Sequence, residues 1–144
     1  MDRSQNTPEV GYLRTFVTAA QQAYPIMDAT VEIESVGKDG SHHVEAIRRT
    51  GISGQTEDVA LKAPAKEESR TPSSGKMPYA TYDVSVYKAG YYPVTVHGIT
   101  VFSTVTSVQT FSLLPLTPGA VPNGIEAGRI DRTLPEPMGP DAET

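Results

Sequence analysis

Residues 79–102, YATYDVSVYKAGYYPVTVHGITVF, decide the fold. Tyr82, Val84 and Val86 alternate with Asp83, Ser85 and Tyr87, the period of two that a half-buried strand requires. KAGYYP follows, with Gly90 at its centre, and reads as a turn. Val94 and Val96, then Ile99 and Val101, carry the apolar face onto a second strand. Pro93 has no N–H for a ladder, so that strand starts beside it or runs along an edge. Gly98 interrupts the alternation and marks a bulge.

The same period recurs outward from this hairpin. In GYLRTFVTAA (11–20), Leu13, Thr15 and Val17 share one face, and Tyr12, Arg14 and Phe16 the other. Apolar groups on both faces suit a strand near the middle of a sheet. Residues 15–24 would also fit a short helix, but Pro25 and the β-branched residues favour a strand and then a turn. ATVEIES (29–35) turns Val31 and Ile33 inward. VGKDGSH (36–42) carries the Asp-Gly pair of a hairpin turn, and HVEAIRRT (43–50) is the return strand. GISGQ (51–55) is a turn, with Gly54 free to take a positive φ. TEDVALKA (56–63) is a strand with Val59 and Leu61 on one face. TSVQTFSLLPL (106–116) sets Val108, Thr110 and Ser112 opposite Gln109, Phe111 and Leu113. Seven short strands without an amphipathic helix predict an all-β fold, an antiparallel seven-stranded β-sandwich with a proline-rich C-terminal tail.

The chain has 144 residues, enough for one domain. The sandwich is expected over 11–117, after a flexible polar arm at 1–10. Residues 64–78, PAKEESRTPSSGKMP, read as a long surface loop. Residues 118–144 are rich in proline and acidic residues and read as an extended or disordered tail. Ile125, Ile130 and Leu134 are its sparse apolar anchors, spaced to dock in extended form along a neighbouring sheet or subunit.

Hydrophobic residues make up 38%, with 12 glycines and 12 prolines, which favours turns over long helices. A net charge of −5 without a basic patch gives no electrostatic footprint for nucleic acid. There is no cysteine, so a disulfide framework, a thiolate metal site and a cysteine nucleophile are excluded. MDRSQNTPEVG shows no signal-like apolar region, and no apolar run reaches bilayer-spanning length. The expected compartment is cytoplasmic synthesis with spore, envelope or particle association.

Three stretches together resemble the carboxypeptidase regulatory-like (transthyretin-like, prealbumin-like) β-sandwich. AYPIMDATVEI matches its pattern P-I-x-g-A-x-V-x-I, which opens the strand after the first one. YDVSVYKAGYYPV (82–94) matches its central hairpin, and FSLLPL its last strand. The resemblance covers roughly 11–117 and looks closest to a branch of spore-forming bacteria, where such domains precede wall-associated modules. It implies a sandwich with an interaction role. The superfamily also includes hydroxyisourate hydrolases, which resemble transthyretin and end in Tyr-Arg-Gly-Ser; this chain ends GPDAET.

Candidate chemistry is sparse. His42 and His43 are neighbours on a strand and point to opposite faces, which disfavours joint chelation of one ion. Asp39 is explained by turn chemistry. Ser53 in GISG lacks the spacing of a nucleophile elbow. No catalytic residue, metal site or cofactor is expected. Five of the seven tyrosines fall between Tyr79 and Tyr92. Either Tyr82 and one of Tyr91 and Tyr92 are core while the rest cap sheet edges, or Tyr87, Tyr91 and Tyr92 form a contact surface. The reading is therefore a noncatalytic structural or interaction module that self-associates or docks into a larger bacterial envelope, spore or phage-like assembly. The alternatives are a carbohydrate- or peptidoglycan-binding module that stacks sugars on Tyr87, Tyr91 and Tyr92, and a hydroxyisourate-hydrolase-like enzyme.

Overall fold

The computed structural model describes residues 9–20, 23–64, 79–116 and 130–134. It is all-β, with nine strands among these residues: β1 (Val10–Ala19), β2 (Tyr24–Pro25), β3 (Thr30–Val36), β4 (His42–Arg49), β5 (Val59–Lys62), β6 (Ala80–Tyr87), β7 (Val94–Val101), β8 (Thr106–Leu113) and β9 (Ile130–Thr133). They form two sheets. In the first, β1 is flanked along one side by β5 and then β2, and along the other by β8. The second runs β4-β3-β6-β7-β9.

Two features correct the expectation of seven antiparallel strands. Strands β2 and β9 are additional, and β1·β8 and β7·β9 pair in parallel. Both additions are too short for an alternation to show in sequence, at two and four residues. Parallel pairing joins strands far apart in the chain, where no turn signal announces it. The arm over residues 1–8, the 64–78 loop from Ala65 onward, Ile125 and the tail apart from 130–134 lie outside the described residues, while Val10, placed in the arm by the sequence, opens β1.

Alternation builds the core. Leu13, Val17, Val31, Ile33, Val84, Val86, Val96, Val101, Phe111 and Leu113 are all buried between the sheets. Each such side chain contributes on the order of 1.5–3 kcal/mol relative to exposure. Thr15 shares this face and is satisfied by Thr56, their hydroxyls 2.9 Å apart. Gly11 is required sterically. A Cβ there would lie 2.2 Å from the Phe102 carbonyl oxygen, where the first strand crosses the end of β7.

The loops obey local chemistry. Asp39 accepts from the Ser41 N–H and hydroxyl at 3.0 and 2.7 Å, closing the β3–β4 turn. Asp28 takes φ +64°, in the left-handed region, where the matched pattern carries glycine; aspartate is among the few residues that tolerate it. The turn between β6 and β7 is pinned to the chain beyond β8. Tyr92 N–H donates to Leu114 O at 2.9 Å, and Leu116 N–H to Gly90 O at 2.9 Å.

Candidate functional site: a histidine braced beside a bulge

The register between β6 and β7 shifts at Asp83, which faces both His97 and Gly98. Gly98 adopts φ +80°, a conformation that L side chains rarely take. The Asp83 carboxylate closes this bulge from both sides. Its Oδ1 accepts the Gly98 N–H at 3.1 Å, and its Oδ2 lies 2.8 Å from His97 Nδ1. Bulges re-aim side chains, and are common beside active sites. His97 keeps the outward side that alternation from Val94 and Val96 gives it, while the extra residue returns Ile99 and Val101 to the core.

The other imidazole nitrogen faces β9. His97 Nε2 is 3.4 Å from Asp131 Oδ1. The ring therefore bridges two carboxylates of opposite exposure, with Asp83 12% and Asp131 54% accessible at the side chain. The His97 pKa is raised, first by its hydrogen bond to Asp83, with Asp131 adding to the effect and partial burial opposing it. The charged imidazolium is thus favoured toward neutral pH.

The neighbouring outward positions are polar yet buried. Ser85 and Thr95 are 7% and 5% exposed, and their hydroxyls lie 2.7 Å apart. Further along the same face, Tyr87 and Thr30 are register partners, as are Thr30 and Arg49. These three border a cavity of about 480 Å³ with Asp28, Lys88 and Tyr91. A second cavity, of about 420 Å³, opens on the other sheet and includes Phe16, Ser53 and Val108 in its lining.

The sequence-selected residues are dispersed. Tyr87 and Tyr91 meet at the first cavity, while Tyr92 is half-buried in the pinned turn. Tyr82 is core, its hydroxyl donating to Lys62 O at 2.6 Å. Ile130 and Leu134 pack on this chain's own core, with Ile130–Thr133 paired to β7. His42 contacts Glu34 at 3.1 Å. Sequence reasoning passed over Asp83, His97 and Asp131. The bulge at Gly98 was the available signal, since it places Asp83 opposite His97 once the hairpin register is set.

No family model and no curated protein matches the chain. Solved structures do. Wild-type catechol 1,2-dioxygenase of Acinetobacter radioresistens aligns with 90% of this chain and 59% of its own, at 12% identity and a TM-score of 0.53. 3-Chlorocatechol 1,2-dioxygenase of Rhodococcus opacus 1CP aligns over 76% and 61%, at 13% identity and 0.51. Hydroxyquinol 1,2-dioxygenase of Pseudomonas putida DLL-E4 aligns over 76% and 58%, at 8% identity and 0.52. The chain spans about three fifths of the length of each. At these identities the likeness is one of fold.

These neighbours correct the functional expectation. The sandwich was read as a noncatalytic structural or interaction module because it lacked a recognisable catalytic motif. The solved structures named above are dioxygenases, so absence of a linear motif does not mark this scaffold as noncatalytic. No helix among the described residues is long and apolar enough to cross a membrane.

The described residues hold no cluster of three or more imidazoles and carboxylates arranged around one point. Asp83 and Asp131 flank opposite nitrogens of His97, so their oxygens cannot converge with one ring nitrogen on a common point. The geometry is that of a hydrogen-bonded imidazole.

Proposed function

We propose that this chain is an enzyme whose working group is His97, transferring protons to and from small hydroxylated aromatic compounds. The observation that carries this reading is the Asp83–His97 pair braced by the Gly98 bulge. Asp83 fixes the ring orientation, and the raised pKa makes His97 a general acid near neutrality and a base above it. Such positioned acid–base groups contribute on the order of 10²–10⁴ in rate. The substrate class is suggested by the named substrates of the structural neighbours. Kinship with the carboxypeptidase regulatory-like sandwich belongs to the same proposal. It is supported by the match of 82–94 to β6, the turn and the start of β7, and by the left-handed Asp28 at the pattern's glycine position.

The test follows the His97 ring resonances of the full chain as catechol and hydroxyquinol are added, alongside substrate deuteration and oxygen uptake, with and without ferric iron. The expected result is a saturable shift at His97, and conversion of the substrate in D₂O to its ring-deuterated form, a pure proton-transfer step, that disappears in a folded His97→Gln variant. Absence of any shift, or equal conversion by the variant, overturns the proposal. Stoichiometric iron binding with oxygen uptake indifferent to His97 would move the chemistry to a metal centre and also overturn it.

A further inference from the structure

The second feature of the outward face is the cavity of about 480 Å³ at the Tyr87 end, which the proton-transfer reading does not use. Asp83 and Tyr87 are four residues apart on one strand, so the cavity begins roughly 13 Å from the His97 brace. Its size falls within the range of small-molecule sites.

Its lining is unusual for this chain. The protein carries a net charge of −5, yet two cations, Arg49 and Lys88, border the cavity against one carboxylate, Asp28. Asp28 engages Arg49, with Nη1 to Oδ1 at 2.9 Å. Lys88 has no carboxylate partner among the described residues. The remaining walls include the phenol rings of Tyr87 and Tyr91 and the Thr30 hydroxyl. A cation with no carboxylate partner among the described residues, beside two tyrosines, suits a ligand that is anionic at one end and flat and apolar at the other.

The frame is preformed. Tyr87 and Thr30 sit on paired strands. Lys88 and Tyr91 are held in one turn by the Tyr91 N–H to Lys88 O bond at 3.0 Å. That turn is fixed from outside by a bridge between Tyr91 and Pro115 and by the Leu116 N–H on Gly90 O. Pro93 O, just beyond it, accepts the Ile130 N–H at 2.9 Å, which ties the start of β9 to the same region. A ligand that enters this cavity orders little backbone, so little binding energy is lost to ordering.

We infer that this cavity is a binding site for a small aromatic carboxylate, with Lys88 and Arg49 on the carboxylate and Tyr87 and Tyr91 against the ring. Arg49 presents a planar fork that suits a carboxylate, and can share it with Asp28 because a guanidinium has five donors. The site stands apart from His97 and does not depend on the role given to it.

The experiment is a titration of the full chain with benzoate, benzyl alcohol and inorganic phosphate at constant ionic strength, read by backbone amide shifts. Benzoate is expected to give a saturable shift at Lys88–Tyr91 and at Thr30, with a Kd below about 1 mM. Benzyl alcohol should bind about tenfold more weakly, since it keeps the ring and lacks the charge. Phosphate, which keeps the charge and lacks the ring, should also bind more weakly. Lys88→Gln should lower benzoate affinity about tenfold, whereas His97→Gln should leave it unchanged. Equal binding of benzoate and benzyl alcohol overturns the inference, as does a shift that phosphate reproduces in full, or a Lys88→Gln variant that binds as well as the wild type. No saturable shift at all overturns it too.

Discussion

Replacing Asp83 by asparagine tests the brace directly. The wild-type carboxylate accepts the Gly98 N–H at 3.1 Å and faces His97 Nδ1 at 2.8 Å, with its side chain 12% exposed. Asparagine has one oxygen and one amide nitrogen. Its oxygen must stay on Gly98, because that backbone donor has no other acceptor described. The amide NH₂ then faces His97 Nδ1, which can accept from it only in the neutral tautomer with hydrogen on Nε2. Two charge-assisted hydrogen bonds become neutral ones, a loss of about 1–3 kcal/mol. Protonation of His97 would now set two donors against each other.

The His97 midpoint should therefore fall below its wild-type value, measured from ring resonances across pH. The sign for stability follows from the direction of the shift. A raised histidine pKa contributes stability that is fully present below the unfolded value, about 6.5, and is lost as pH rises through the folded value. Denaturant unfolding should thus show a larger gap between wild type and Asp83→Asn at about pH 5.5 than at about pH 9. An unmoved His97 midpoint, or a stability gap that does not change with pH, would refute the reasoning.

Other perturbations probe the frame around this site. Gly98→Ala places a Cβ 3.5 Å from Leu134 O, an ordinary contact, so its cost comes from the backbone at φ +80°; thermal unfolding should report a loss of about 1–2 kcal/mol, together with an altered His97 titration. Thr50→Val removes a hydroxyl that donates to Ile26 O at 2.6 Å and accepts from the Ala29 N–H at 2.9 Å; it leaves both backbone groups unpaired in a buried site and should cost about 1–3 kcal/mol in urea unfolding. Arg14 holds the Asp58 pKa down, chiefly through their side-chain hydrogen bond. That contribution is present above the unfolded carboxylate value and is lost as pH falls through the lowered one, so Arg14→Gln should lower stability slightly at neutrality, flatten the acid limb, and leave stability unchanged at pH values below the lowered midpoint.

The fold was legible wherever burial imposes a period. Val31 and Ile33, Val84 and Val86, and Val94 and Val96 all fall where alternation places them, because an inward-facing polar residue there would be costly. The turns at Asp39-Gly40 and Gly90 were legible because few residues accept those dihedrals. β9 was not, because four residues on the edge of a sheet carry too little apolar pattern to distinguish them from loop. The site was legible only in part. Gly98 announced a bulge, but Asp83 read as one polar residue on an outward face. Its role comes from register, which joins it to His97 across a turn, and from β9, which brings Asp131 from more than thirty positions away.

Asp83 serves two clients, a backbone N–H and an imidazole, and a single substitution does not separate them. A double-mutant cycle does. His97→Gln leaves the Gly98 N–H on Asp83 and removes only the ring, so if Asp83 mainly secures the backbone, this change should be almost neutral and additive with Asp83→Asn. If the carboxylate is held chiefly against a charged ring, the two changes should couple by roughly 0.5–3 kcal/mol, the range for contacting residues. Because the ring is charged only below its raised midpoint, the coupling should shrink as pH rises through that value. A coupling that is large and independent of pH would mean that packing, not charge, joins the pair. In that case His97 would be a structural element of the bulge, and the acid–base reading of this face would fail.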